Sequence, residues 1–223
     1  MGEPTSRVAR RRVQRIITED EILDAAVALV DAEGLATLSM RRLAEATGVA
    51  PMTIYGFVAS KDDLVARLGA HVLRELPTPL PEDRPWTERI VHEMTVLRTA
   101  LQKHHGLLEL LSVGNDAAPV LDELRERLIG ILRSAGLDDR TMVEGLGSLV
   151  ALTLGFAVGG RARHAGANGD IYKRLQSLPA QRFPNLRSVA SHYSEHWSDR
   201  AFSYGLESVL ATLEAAAATD PAH

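Results

Sequence analysis

Cysteine is absent from the 223 residues. That excludes disulfides and thiolate metal sites and suits a reducing compartment. Aromatic residues are scarce, at 4% against 45% apolar residues in all, so the core must be aliphatic. No stretch alternates apolar and polar residues at a period of two, and no sheet is expected. The basic start of the chain leads into no apolar segment of the kind a secretory leader needs. The most apolar run, LGSLVALTLGFAVGG over 146–160, contains Ser148 and Thr153 and falls short of the ~20 apolar residues that span a bilayer. A cytoplasmic protein with no membrane partner is expected. Phosphate-binding loops, dinucleotide fingerprints and nucleophile elbows are also missing.

What charge there is lies unevenly. A net charge of −4 argues against a protein that coats nucleic acid over its whole surface. Yet RVARRRVQR (7–15) holds five Arg and no acid, and between Arg41 and Lys61 there are three bases against the single acid Glu45. Residues 1–61 hold eight bases and eight acids, so the remaining 17 bases and 21 acids carry the whole −4. A basic arm (1–17) and a basic patch on an acidic body form a focused footprint for phosphates. The arm alone would equally suit a solvated tail.

The rest reads as helix. Thr18-Glu19-Asp20-Glu21 is a capping box, followed by Ile22, Ala25, Ala26, Leu29 and Val30 at helical spacing up to Gly34. Ser39 can cap a second helix carrying Leu43 and Ala44, which Gly48 ends. Pro51 suits the first turn of a third helix. Ser60-Lys61-Asp62-Asp63 is a second capping box opening a helix to Leu76, and PTPLPEDRP (77–85) is a boundary. Helices are expected near 86–104, 106–112, 117–135, 140–164, 186–197 and 199–218. A long loop is expected over 166–185 and a fraying Ala-rich end over 215–222.

Two short helices joined by a Gly turn form the helix-turn-helix plan. Leu43, Ala44, Val49, Ile54 and Phe57 fall where these helices must touch each other and the first helix. Pro51, Met52, Thr53 and Tyr55 are then free to face outward. A short recognition helix suffices because only its first turns enter the major groove. Tyr55 can give its hydroxyl to a phosphate, and Lys61 adds a cation beside free amides at a helix start. An ordinary helical hairpin is the competing reading.

RRLAEATGVAPMTIYGFVASKDDLV (41–65) resembles the DNA-binding segment of TetR-type transcriptional regulators. WTERIVHEMTVLRTAL (86–101), TLG (153–155) and AFSYGLESVLATLE (201–214) resemble the body of the tetracycline-repressor class. The resemblance implies an all-α fold: a helix-turn-helix domain over 18–64 and a helical effector-binding and dimerisation domain over 65–218. It implies a base-reading role for Arg41, for which guanine is the chemically expected partner. Pro51, Met52 and Thr53 match the recognition-helix start, Tyr55 a phosphate-binding tyrosine and Lys61 a phosphate-binding lysine. Pro51, Met52 and Phe57 depart from the tetracycline-repressor pattern, so the operator should differ.

The resemblance also implies a homodimer through a four-helix bundle. Gly147, Ala151, Gly155 and Gly159 lie four apart, a smooth stripe for a partner helix. Tyr204, Leu206, Val209, Leu210 and Leu213 give the last helix an apolar face. Packing inside one subunit is the alternative for both. Three positions that chelate a metal–drug complex in the tetracycline-repressor class fall here at Leu76–Pro77, near Leu111 and at Gly159, and none can ligate a hard cation. No metal or cofactor is expected. The effector pocket is placed among Glu93, Leu97, Leu111, Arg127 and Phe156, with a Glu–Arg ion pair as the competing reading of its two charged members.

One motif points elsewhere. HYSEH (192–196) fits a zinc-peptidase pattern, with His192 and His196 on one helix face. It lacks an evident third ligand, and His104-His105 suits a helix end better than a metal. The leading expectation is a ligand-responsive repressor of a palindromic operator, not an enzyme. An activator without effector release and a helical zinc hydrolase are the alternatives.

Overall fold

The computed structural model describes residues 17–74, 76–104, 106, 108, 122–164, 171–193 and 195–219. Most of these residues are helical, and no strand occurs among them. Helix α1 (Glu19–Glu33) opens on the expected box: the Thr18 hydroxyl accepts from Glu21 N–H at 3.2 Å, and the Glu21 carboxylate accepts from Thr18 N–H at 3.0 Å. A 3-10 turn over Leu35–Thr37 leads into α2 (Met40–Thr47), capped by the Ser39 hydroxyl on Arg42 N–H at 3.3 Å. Gly48 ends α2 in the left-handed conformation, φ 71° and ψ 21°, which a side chain would oppose. Pro51 opens the five-residue α3 (Pro51–Tyr55). At α4 (Lys61–Arg74) the Ser60 hydroxyl accepts from Asp63 N–H at 3.1 Å and the Asp63 carboxylate from Ala59 N–H at 2.8 Å.

The body comprises α5 (Trp86–Lys103), α6 (Asp122–Ser134), α7 (Asp139–His164), α8 (Ile171–Gln176), α9 (Pro184–Ser188), α10 (Ala190–Tyr193) and α11 (Asp199–Thr219). Helix α7 packs against α5, α6 and α11.

Apolar side chains gather into two cores. One holds Ile22, Leu23 and Ala26 of α1, Leu43 of α2, Ile54 of α3 and Leu64 of α4, all fully buried. The other holds Ile90, Met94 and Leu101 of α5 with Leu128, Leu149 and Leu206. Helix α4 serves both, giving Leu64 and Leu68 to the first and Val72 to the second, and Val27 touches both.

Several expectations need correction. Within 166–185, residues 171–176 form α8. The single helix expected over 186–197 is instead α9, α10 and turns. The reason is tertiary: the Arg187 guanidinium donates to the carbonyls of Gln176 and Leu178, and Gln176 Nε2 donates to Arg187 O, folding this segment back on α8. The Ala-rich end does not fray at 215, because α11 runs to Thr219, as the high helix propensity of Ala allows. Nor is 146–160 isolated: Asp139–Gly160 is long and apolar enough to cross a membrane by length and composition alone. Its buried Leu149, Thr153 and Ala157 face the second core, and the Thr153 hydroxyl is satisfied by Leu149 O at 2.7 Å. Of the two expected helices over 106–112 and 117–135, all of the first but residues 106 and 108, and the start of the second, lie outside the described residues.

Candidate nucleic-acid interface

Ile54 is fully buried beneath α3, and the other four residues of that helix face solvent. Met52 is 78% exposed and Tyr55 50% exposed, the reverse of what their apolar surfaces favour in a folded monomer. Arg41, Pro51, Thr53 and Lys61 are exposed as well. The six residues singled out for DNA are therefore all available to a ligand. Arg41 Nε lies 3.0 Å from the Glu45 carboxylate, with its own side chain 85% exposed. Such a solvent-exposed pair is weak and leaves the guanidinium recruitable. Lys61 Nζ lies 3.5 Å from Leu35 O, so this cation rests over the start of the 3-10 turn.

The bracing behind this face is not legible from local spacing. Arg42 reaches Glu33 at the end of α1 at 2.5 Å and Glu45 at 3.4 Å. Its hydrogen bond holds the Glu33 carboxyl below the usual range. Arg67 of α4 ties Glu19 of α1 and Asp63, each at 2.9 Å, and Asp63 is held low chiefly by that guanidinium and then by Ala59 N–H. His71, buried on α4, meets Asp24 of α1 at 2.7 Å. Three of these pairs, Arg42–Glu33, Arg67–Glu19 and His71–Asp24, join α1 to α2 or α4, so the two short helices sit on a braced platform. Arg-to-Glu pairing across nine or forty-eight residues has no local periodicity, which is why spacing could not reveal it.

In the body, Glu93 and Arg127 do meet. Arg127 lies 3.1 Å from the Glu93 carboxylate, whose side chain is 5% exposed. The ion-pair reading of these residues is the one observed. Leu97 is buried in the second core. Phe156 packs edge-on between Trp197 (centroids 5.3 Å apart) and Phe202 (5.4 Å). Glu93, Leu97 and Phe156 are thus packed, which corrects their assignment to an open chamber. Leu111 lies outside the described residues.

The zinc reading meets a different obstacle. Helix α10 stops at Tyr193, and His196 Nδ1 contacts the Tyr193 carbonyl, so His192 and His196 do not share a helix face. Among the described residues no three acids or histidines cluster as metal ligands. His104 ends α5 as its C-cap, the helix-end position expected, and its ring contacts Asp31 of α1. His105 lies outside the described residues.

The small-residue stripe divides. Gly147, Ala151 and Gly155 are exposed, and a Cβ at Gly147 or Gly155 would meet nothing within 4 Å. Gly159 is a correction: its α-carbon is covered by the Trp197 ring of the same subunit. So are Leu206, Leu210 and Leu213, which are buried in the subunit's own core because they face α5 and α7. Val209 is half-buried, and Tyr204 is 73% exposed. Val143 (66%) and Val158 (56%) extend the exposed stripe of α7, and a four-residue spacing of small side chains does not point to either.

Comparison with known proteins accords with this layout. Residues 22–68 match the family model of bacterial regulatory proteins of the tetR family, and residues 78–217 match that of the tetracyclin repressor-like C-terminal domain. The HTH-type transcriptional repressor DrrR1 of Streptomyces coeruleorubidus is 26% identical over 94% of this chain and 82% of its own. ActR of Streptomyces coelicolor, solved in complex with actinorhodin, superposes with a TM-score of 0.75 at 33% identity, covering 90% of this chain and 98% of ActR. BioQ of Mycobacterium smegmatis, solved with its double-stranded DNA operator, superposes with a TM-score of 0.60 at 25% identity, covering 89% of this chain and 99% of BioQ.

Proposed function

The chain belongs to the tetR family of DNA-binding transcriptional regulators, and from that premise we propose that it is a repressor that holds a palindromic operator as a homodimer and is released by a small organic effector. The observation that carries this reading is α3, a helix with one buried anchor, Ile54, and an outward face of Pro51, Met52, Thr53 and Tyr55. Such a face gains nothing in the free protein and suits insertion in a major groove. Arg41 reads a base edge, while Tyr55 and Lys61 hold phosphates that set the register.

Dimerisation runs through the exposed stripe Val143, Gly147, Ala151, Gly155 and Val158 of α7 with Tyr204 of α11. Exposed apolar surface of this kind beside open glycines fits a partner helix at close range. The effector is a small organic molecule, as the ActR–actinorhodin complex illustrates for a relative. It needs no metal, because Leu76, Pro77 and Gly159 stand where the tetracycline-repressor class chelates one. Release follows if effector binding tilts α4 and changes the spacing of the two recognition helices, which half-sites one DNA turn apart tolerate poorly.

The test is fluorescence anisotropy on a labelled duplex taken from the DNA upstream of the protein's own coding region, with and without candidate effectors and with and without EDTA. Saturable, salt-sensitive binding, one dimer per palindrome, and metal-independent release support the reading. Equal affinity for random duplex, or release by magnesium–tetracycline that EDTA abolishes, defeats it.

A further inference from the structure

Arg127 does more than neutralise Glu93. It also lines a cleft of about 630 Å³ between α4, α6 and the Pro-rich joint that follows α4. That volume falls within the range of roughly 300–1,000 Å³ typical of small-molecule sites, and such sites favour the boundary between two packed units. Here the boundary is between the two cores: Arg67, Leu73 and Arg74 come from α4, Leu124 and Arg127 from α6, and Leu76, Pro77 and Pro79 from the joint.

The charges facing the cleft do not all cancel one another. Arg67 and Glu19, which both line it, are paired at 2.9 Å. The partner of Arg127 is Glu93, which does not line the cleft. Arg127 Nε is buried without a hydrogen-bond partner, an arrangement that costs free energy until an acceptor reaches it. Arg74, exposed at the last turn of α4, makes no ion pair among the described residues. Against these two guanidinia stands one carboxylate, Glu123. Leu73, Leu76, Pro77 and Leu124 supply an apolar wall.

Resting on the reading of an effector-released repressor, we propose that this cleft is where the effector binds and that the effector is a small organic monocarboxylate: its apolar body lies on Leu73, Leu76 and Leu124, and its carboxylate bridges Arg74 of α4 and Arg127 of α6. Guanidinium groups match carboxylate oxygens in charge and in planar geometry. The single opposing carboxylate of Glu123 sets a limit, favouring one negative charge over two. A ligand spanning Arg74 and Arg127 ties the helix that carries Lys61 to the body, so occupancy fixes the angle of α4.

Ligand-observed NMR on the full chain tests the site with 2-naphthoate as probe and the uncharged 2-naphthamide as control, independently of any operator. Naphthoate should bind saturably and naphthamide much more weakly. Arg74→Gln, at an exposed position, should weaken naphthoate about tenfold, the scale of one charge-assisted hydrogen bond. Glu123→Gln should strengthen it. Arg127→Gln should abolish it, though that change also strands the buried Glu93, so its melting curve is read alongside. Equal binding of the amide, or naphthoate affinity unmoved by both Arg74→Gln and Glu123→Gln, overturns the site. Failure of operator release in the anisotropy experiment defeats the repressor reading and leaves the binding site standing.

Discussion

Asp31 of α1 grips His104 at the end of α5: the carboxylate lies 2.9 Å from His104 Nδ1, and its other oxygen accepts from Gly106 N–H at 3.1 Å. The same corner is seated on Val30, whose side chain occupies the space a Cβ at Gly106 would need. One acidic side chain thus fastens the platform of the DNA-binding face to the body.

Asp31→Ala should leave Gly106 N–H without its acceptor and cost about 1–3 kcal/mol, read from the urea midpoint. Asp31→Asn keeps one acceptor oxygen and should cost less. An Asp31→Ala protein as stable as wild type removes the fastening role.

For the interface, the two cations should fail differently. Lys61→Ala should weaken every duplex alike and lower the salt slope by about one. Arg41→Ala should relax choice at one base pair, at about 1–3 kcal/mol of discrimination. The Arg41–Glu45 pair is exposed, so surrendering it for DNA costs little. Arg41→Ala losses equal on operator and random duplex would remove its reading role.

The two glycines of α7 separate subunit from assembly. Gly155→Leu meets open space within the subunit, so the subunit should keep its fold while light scattering shows its dimer weakened by overpacking. Gly159→Ala drives a methyl into the Trp197 ring and should destabilise the subunit itself by roughly 1–3 kcal/mol. A wild-type monomer at micromolar concentration rules out the bundle.

Acid should loosen the platform. The Asp63 carboxyl is held below its ordinary 3.8, by Arg67 first and Ala59 N–H second, and Glu33 below 4.5, chiefly by Arg42. A lowered folded-state value means stability that is present above the ordinary value and lost as pH falls through the lowered one. The gap in urea midpoint between wild type and an Asp63→Asn, Glu33→Gln double variant should therefore shrink as pH drops from about 7 to about 3. A constant gap shows that these carboxylates add nothing through their charge.

The sequence made the local devices legible because each is written within a few residues. The Thr18 box, the Ser39 cap, the turn at Gly48 and the start at Pro51 all stand where their chemistry requires. With them came the exposed face of α3, since burying Ile54 leaves its neighbours outside. What could not be read was which partner a face would meet. Leu206, Leu210 and Leu213 form the same apolar stripe whether they cover another subunit or their own α5 and α7. Glu93 and Arg127 lie thirty-four residues apart, and nothing in their spacing chooses between a ligand and each other. Likewise Asp31 and His104 are ordinary helix residues until the fold sets one against the other.

Helix α4 lends Leu64 and Leu68 to one core and Val72 to the other, and Val27 stands between them. Anyone grafting this DNA-binding head onto a foreign sensor inherits that shared beam. A splice before Leu64 strips the head of its own floor, one between Leu68 and Val72 discards the residue that seats α4 on the body, and one beyond Val72 carries that residue into a body that must be shaped to receive it. The workable seam lies beyond Val72, with Val27, Asp31 and the corner at His104 transplanted or redesigned together. Modularity in this chain stops at one turn of one helix.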